Sequence, residues 1–315
     1  MSLPLFQLPE EVRLKALALG EAGLYWMTEL ESVVRELEKK WQLSVEEAPL
    51  HGGSASLVLP AVRTDGTQAV LKIGIPDESC MLMSQAHVLK LAQGHGYARL
   101  FEYDEMRNAI LVEKLGTPLA HQNLPVQAQI EIICASLKAA WVPLVAPNGL
   151  MTGADKAKWL AQFIKDKANE LNIPCAKFIK RALEFAEERE AMHNPSHCVL
   201  VHGDAHAANI LQQLTEPESG VSTYKFIDPD GLFAEPACDL AIPMREWSDE
   251  LLAGNPLSVG QERCALLSSF TGINEKAIWQ WGFIECVSTG LLLLQVGMTD
   301  LGNELLVVTD CWAKA

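Results

Sequence analysis

The reading of the chain turns on Val201-His202-Gly203-Asp204-Ala205-His206-Ala207-Ala208-Asn209-Ile210, where an apolar run opens into polar residues and closes on an apolar one. Transfer of a phosphoryl group to a hydroxyl requires a carboxylate that orients the nucleophile and accepts its proton. It also requires a nearby oxygen ligand for Mg²⁺. Asp204 and Asn209, five residues apart, carry those two groups. Alone, the pair reads equally well as an Asx-rich loop that caps its own backbone. Downstream, Phe226-Ile227-Asp228-Pro229-Asp230-Gly231 is a second apolar run emptying into an acidic turn. Mg²⁺ is held by one or two carboxylates together with substrate phosphates, so Asp228 is the expected carboxylate ligand. Asp230, between Pro and Gly, reads as turn chemistry.

Working outward, Lys72 lies inside the apolar strand pattern Ala69–Ile73. A lysine on a core strand needs a partner for its charge, and nucleotide phosphates are one, although edge strands also carry solvent-facing lysines. The turn Gly52-Gly53-Ser54-Ala55-Ser56 precedes it, and its glycines and hydroxyls suit a loop that closes over phosphates. Apolar residues at three- and four-residue spacing predict one helix over about 11–41 and another over 81–91. Short strands are expected at 57–59, 69–73 and 110–113, with Thr64-Asp65-Gly66-Thr67 as the turn between the first two. Beyond Gly116 the pattern becomes helical, at 126–141, 155–171, 175–192 and from 261 onward. It is interrupted by two apolar runs, 198–201 and 224–227, that feed the two polar loops. The predicted class is α+β. A small antiparallel-sheet lobe with one key helix, residues 1–115, precedes a larger, mainly α-helical lobe, residues 116–315.

A glycine-rich turn, a strand lysine, Glu113-Lys114-Leu115 as a hinge, His202-Gly203-Asp204 with Asn209, and then Asp228 follow the order of the protein-kinase-like fold. The His-Gly-Asp form resembles the aminoglycoside phosphotransferase family. Thr64–Thr67, Val70-Leu71-Lys72, Ile227–Leu232, Glu235-Pro236 and Asp239-Leu240-Ala241 are similar to its streptomycin 6-phosphotransferase and hydroxyurea phosphotransferase branch. The resemblance, over roughly residues 40–250, implies an ATP- and Mg²⁺-dependent kinase. In it Asp204 is the catalytic base and Asn209 and Asp228 hold the metal. Lys72, with Gly53 and Ser54, attends the phosphates, and the backbone of Glu113 to Leu115 receives the base. Asp239 would brace the catalytic loop. The sequence departs from the family where the helix glutamate that pairs with the lysine should stand: the position reads Gln85, with Glu78 as a possible substitute.

The net charge of −15 leaves no basic stripe for nucleic acid and favours a small cationic partner, though an acidic balance also serves solubility. No stretch reads as about 20 uninterrupted apolar residues, and the N-terminus, with Glu10 and Glu11 and no basic leader, does not read as a signal peptide, so the expected place is the cytoplasm. The eight cysteines are far apart, which argues for buried thiols over a zinc or redox site. His193 and His197 flank Pro195 and read as loop or cap residues. Glu235, Glu246, Asp249, Glu250 and Glu285 are candidate carboxylates for a cationic acceptor, with solvated faces the plainer use of most. Trp247, Trp279 and Trp281 are either an aromatic wall or core. Two alternatives stand beside the antibiotic kinase: a metabolic kinase for another small hydroxyl compound, and a catalytically silent nucleotide-binding module suggested by Gln85.

Overall fold

The computed structural model describes residues 7–46, 48–50, 55–77, 82–174, 176–214 and 223–314. The chain divides into two compact units, Met1–Gly116 and Thr117–Ala315.

In the first unit, α1 (Glu10–Ala18) and α2 (Glu21–Trp41) precede β1 (Leu43–Val45), β2 (Ser56–Arg63) and β3 (Gln68–Gly74). After them come α3 (Leu82–Ala92), β4 (Leu100–Asp104) and β5 (Ala109–Glu113). The strands form one antiparallel sheet in the order β1-β2-β3-β5-β4. Side chains alternate across a strand, so Leu57, Leu59, Leu71, Ile73 and Leu111 fall on one face. Leu30, Val34, Leu37 and Trp41 recur along one side of α2 and cover that face. Each fully buried Leu or Ile there contributes roughly 1.5–3 kcal/mol. The other face carries Val58, Val70, Lys72, Ile110 and Val112, all buried. The single helix expected over 11–41 is two helices, broken at Leu19-Gly20. The sheet has five strands where the pattern suggested three: β1 has only three residues, and β4 carries an irregularity between Leu100 and Glu102 that blurs its alternation.

The second unit opens with α4 (Val126–Ala140), the two-residue strands β6 (Val142–Pro143) and β7 (Met151–Thr152), α5 (Gly153–Glu170) and α6 (Lys177–Ala191). Four short strands follow: β8 (Val199–Val201), β9 (Ile210–Gln212), β10 (Tyr224–Phe226) and β11 (Leu232–Ala234). The rest is α7 (Ala237–Arg245), α8 (Ser248–Leu252), α9 (Pro256–Thr271), α10 (Glu275–Gln295) and α11 (Thr299–Trp312). β6, β8, β11 and β7 form one small sheet, and β9 pairs with β10 in another. Helix α10 is the spine of the unit, packed by α5, α6, α7, α9 and α11. It corrects the sequence reading in one respect. Its 21 residues are long and apolar enough to cross a membrane, yet 72% of its most apolar window is buried inside the protein, where it serves as core.

Candidate active site

The topology of the short strands builds the site. β8 runs into the loop 202–209 and out along β9; β10 runs into the loop 227–231 and out along β11. Because β8 pairs with β11 and β9 with β10, both loops span the same two sheets and lie side by side. Cross-bonds fix them together. The Ile227 N–H donates to the Asn209 carbonyl at 2.9 Å, continuing the β9–β10 ladder by one step, and the Gly231 N–H donates to the His202 carbonyl at 2.9 Å. Asp228 therefore follows directly on the residue bonded to Asn209. It sits in the left-handed region at φ +53°, which Asp tolerates better than most residues.

His202 is fully buried. Its Nδ1 accepts the Asp204 N–H at 3.1 Å and its Nε2 lies 2.9 Å from the Ile227 carbonyl, which fixes the Nε2–H tautomer and ties one loop to the other. Gly203 sits at φ +89°, and a Cβ there would stand 3.0 Å from the Asp230 Cβ, so only glycine permits this approach of the loops. Beneath them lies Asp239, with no exposed surface. Its Oδ1 accepts the Gly203 N–H at 2.8 Å, and its Oδ2 accepts the His202 N–H at 2.9 Å and the Trp141 Nε1–H at 3.0 Å. Burial raises the Asp239 pKa, offset in part by the backbone N–H groups of Gly203 and His202 and by the Trp141 indole. These three partners are donors, so the carboxylate is used as an acceptor.

Asp204 is held at both oxygens. Arg245 Nη2 donates to Oδ1 at 3.1 Å, and His206 Nε2 lies 3.3 Å from Oδ2. Crowding by protein works against the charge on Asp204. The His206 hydrogen bond and the charges of His206 and Arg245 outweigh it and bring the carboxyl down to about 2. Burial lowers the His206 pKa and Asp204 raises it, with a net rise. Asn209 donates through Nδ2 to the Asp204 carbonyl at 3.0 Å, a bond that does not engage its amide oxygen. Asp230 is exposed to solvent in a crowded, concave place, and burial followed by the charge of Asp204 raises its pKa.

The structure thus brings Asp204, Asn209 and Asp228 onto two stitched loops of one unit. Lys72 lies in the first unit, buried on the face of β3 that α2 does not cover. There Glu113 ends β5, its Oε2 accepting the Arg99 N–H at 3.0 Å. The Lys114 N–H donates to the Gln68 carbonyl at 3.4 Å, and the nearly buried Leu115 leaves the sheet. The Gln85 Oε1 is buried with no hydrogen-bond partner among the described residues. Gly53, Ser54 and Glu78 lie outside the described residues.

Sequence reasoning passed over the ion pairs behind Asp204. Arg245 Nη1 donates to Glu285 Oε2 at 3.1 Å and to Thr289 Oγ1 at 3.0 Å, and Glu285 Oε1 lies 2.8 Å from Lys156 Nζ. Glu285 is therefore no solvated carboxylate. Burial opposes its charge, but Lys156 and Arg245 keep its pKa below the usual value. The signal was present in the sequence: Glu285 interrupts the apolar run Trp281–Val287, and a charge in such a run needs a partner. Glu235 pairs with Arg189 and accepts the Trp281 indole N–H at 2.8 Å; Trp279 packs on Trp312, and both indoles serve the interior.

Comparison with known proteins completes the picture. A streptomycin 6-kinase of Streptomyces glaucescens is 29% identical over 300 residues, covering 94% of each chain. A hydroxyurea phosphotransferase of Kitasatospora aureofaciens is 30% identical over 224 residues, covering 70% of this chain and 62% of that one. Among solved structures, a choline kinase from Streptococcus pneumoniae matches with a TM-score of 0.61 at 15% identity over 91% of this chain and 100% of its own. A macrolide 2'-phosphotransferase from Brachybacterium faecium matches at 0.56 and 14%, over 90% and 98%. These likenesses fix the α+β, protein-kinase-like fold. The profile of the aminoglycoside/hydroxyurea antibiotic resistance kinases fits residues 40–297, taking in β3 with its lysine and both stitched loops, and the chain belongs to that family.

Proposed function

We propose that this kinase transfers the γ-phosphoryl group of Mg²⁺-bound ATP to a hydroxyl of a streptomycin-type aminoglycoside or a related small molecule, in the cytoplasm. The observation that carries the reading is the pairing of the 202–209 and 227–231 loops. Asp204 and Asn209 on one loop and Asp228 on the other, joined by the backbone bonds between the loops, are what supports this reading. The streptomycin 6-kinases among the relatives support the acceptor class.

The residues suit a magnesium ion. Asn209 and Asp228 offer hard oxygen donors, and two protein ligands suffice for an ion that takes its remaining oxygens from phosphates and water. Mg²⁺ supplies charge neutralisation on the phosphates when bound. Asp204 orients the acceptor hydroxyl and takes its proton. In a loose phosphoryl transfer most of that work is orientation. His206 and Arg245 hold its carboxylate plane. In this reading Lys72 attends the nucleotide phosphates, with Gly53 and Ser54, and the backbone from Glu113 to Leu115 attends the base.

The test is transfer of labelled phosphate from Mg²⁺-ATP to a panel of streptomycin-type aminoglycosides, amino alcohols and hydroxamate-like compounds, with Asp204→Asn as control. Acceptor-dependent transfer that the substitution abolishes is expected. A folded protein that binds ATP and phosphorylates no member of the panel would overturn the reading in favour of a silent module, the alternative that the buried Gln85 oxygen keeps in view.

A further inference from the structure

Behind Asp204, four charges of alternating sign form a line through the second unit. Arg245, the last residue of α7, donates through Nη2 to Asp204 Oδ1 at 3.1 Å and through Nη1 to Glu285 Oε2 at 3.1 Å. Glu285, midway along α10, has its other oxygen 2.8 Å from Lys156 Nζ, near the start of α5. The side chain of Asp204 is 35% exposed, and exposure drops to 15% at Arg245, 7% at Glu285 and 12% at Lys156. The line leads from the interior to one open carboxylate. As a means of holding a core together it is a poor one, because buried ion pairs return little beyond their desolvation cost and apolar side chains of similar volume often serve as well or better. Glu285 also lies too deep to meet a ligand itself, with 5% of its surface exposed.

We propose that Glu285 is a positioning residue for phosphoryl transfer: it holds one arm of the Arg245 guanidinium and so keeps that group from closing as a fork on Asp204, and Lys156 sets how firmly it does so. The inference rests on the reading of Asp204 as the group that orients the acceptor hydroxyl. Arginine and carboxylate pair most strongly when two N–H groups meet two oxygens. Arg245 does not meet Asp204 in that way. Its Nη1 is taken by Glu285 and by Thr289 Oγ1 at 3.0 Å, one turn further along α10, so Nη2 alone reaches Asp204. The other Asp204 oxygen has His206 Nε2 at 3.3 Å. Released from Glu285, the guanidinium can turn both arms to Asp204, which leaves fewer lone pairs for an acceptor hydroxyl.

Lys156 acts from the far end of the line. Burial weighs against its charge, and Glu285 outweighs burial and raises its pKa; Glu285, between two cations, has its own pKa lowered. Without Lys156, Glu285 keeps Arg245 as its one cation and can draw both arms of the guanidinium to itself, away from Asp204. The two ends of the line thus pull Arg245 in opposite directions. The neighbouring charges hold neither arm. Glu246 Oε1 stands 3.8 Å from Arg245 Nε, beyond hydrogen-bond distance. Arg263 is engaged by the carbonyls of Met244 and Glu246 and lies 3.6 Å from a Glu250 oxygen.

The experiment uses the full chain and reads two quantities. The first needs no substrate: the coupling between Asp204 and Arg245, measured by urea unfolding as the departure from additivity in the cycle of Asp204→Asn and Arg245→Gln. It should grow when the cycle is repeated in Glu285→Gln and shrink in Lys156→Met. The second is transfer from Mg²⁺-ATP to the best acceptor of the panel above. Glu285→Gln should lower kcat about 10- to 100-fold, keep KM for ATP within about twofold of wild type, and slow Arg245→Gln no further. Thr289→Val, which takes one acceptor from Nη1, should act in the same direction to a smaller extent, and it replaces Glu285→Gln if that variant does not fold. Arg107→Gln removes ion pairs to Glu36 and Asp104 in the first unit and should lower stability without touching kcat. A coupling that ignores both backgrounds, or moves the same way in both, would overturn the inference whether or not transfer is seen. Coupling that shifts as expected beside an unchanged kcat in Glu285→Gln would reduce the line to a structural hold and overturn the positioning role. If the wild type phosphorylates no acceptor while the coupling shifts as expected, the kinase reading falls and the hold of Glu285 on Asp204 stands.

Discussion

The β2–β3 hairpin and the pair of loops around Asp204 solve the problem of placing a charged side chain by opposite means. In the hairpin, Lys72 is fixed by regular structure: the ladder runs unbroken from Ser56↔Gly74 to Val62↔Gln68, and α2 covers the face that Lys72 does not share. The cost of any one lost contact is spread along seven pairs. Around Asp204 the strands are three residues long and the ladder is too short to specify anything alone. Position there is set by a few buried polar groups, each making several bonds: Asp239 with three donors, His202 with two partners, Arg245 with Asp204, Glu285 and Thr289. Such a site is accurate and brittle, whereas a ladder is tolerant.

The contrast can be broken most severely at Asp204. Asp204→Asn keeps the shape and removes the charge, and kcat should fall about 10²- to 10⁴-fold in a protein that stays folded but melts at a lower temperature, since the ion pairs to Arg245 and His206 are lost. Steady-state kinetics beside a thermal melt checks this, and a near-normal kcat would remove Asp204 from its role. Asp239→Ala should damage both quantities, because three buried donors lose their acceptor; chemical denaturation should show a loss of roughly 3–5 kcal/mol, with activity falling in parallel. The pair formed by His206 and Asp204 gives a smaller, pH-dependent effect. Because the folded pKa of His206 is raised, its contribution is complete below the unfolded value near 6.5 and disappears as pH rises through the folded value. Asp204, depressed to about 2, contributes above 3.8 and loses that contribution only as pH falls toward 2. The stability gap between wild type and His206→Gln should therefore be widest from about pH 4 to 6 and close at alkaline pH. It should not exceed about 1 kcal/mol, since the pair is a third exposed and screened. The mildest change belongs to the tolerant region: Gly66→Ala, at φ +85° in the hairpin turn, should cost about 1 kcal/mol in a melt and leave kcat alone.

The same contrast explains what could be read from the residues. Strands β2, β3 and β5 and helices α2 to α6 announce themselves because their apolar residues repeat over many positions; β6 and β7, two residues each, have no room for a period. The loop positions of Asp204, Asn209 and Asp228 were legible for another reason: apolar runs on either side mark them as loop residues anchored in a core. The role implied for Asp239 by family likeness has a physical counterpart in its three hydrogen bonds. The link from Lys156 through Glu285 and Arg245 to Asp204 joins α5, α10 and α7, residues about 90 and 130 positions apart, and no local pattern encodes which charges will meet. Only the oddity of a glutamate inside an apolar run could be seen beforehand.

Helix α10 bears on how such a protein finds its place during synthesis. Its 21 residues have the length and hydropathy of a membrane span, yet Glu285 in their midst pairs with Lys156 and Arg245, and α5, α6, α7, α9 and α11 enclose the rest. The last of these, α11, is translated after the segment it must shelter, and its Trp312 is buried against Pro256 and Trp279 from far earlier in the chain. The place of the segment is thus written in its neighbours, and while the nascent chain still lacks α11 one apolar side of it has no cover.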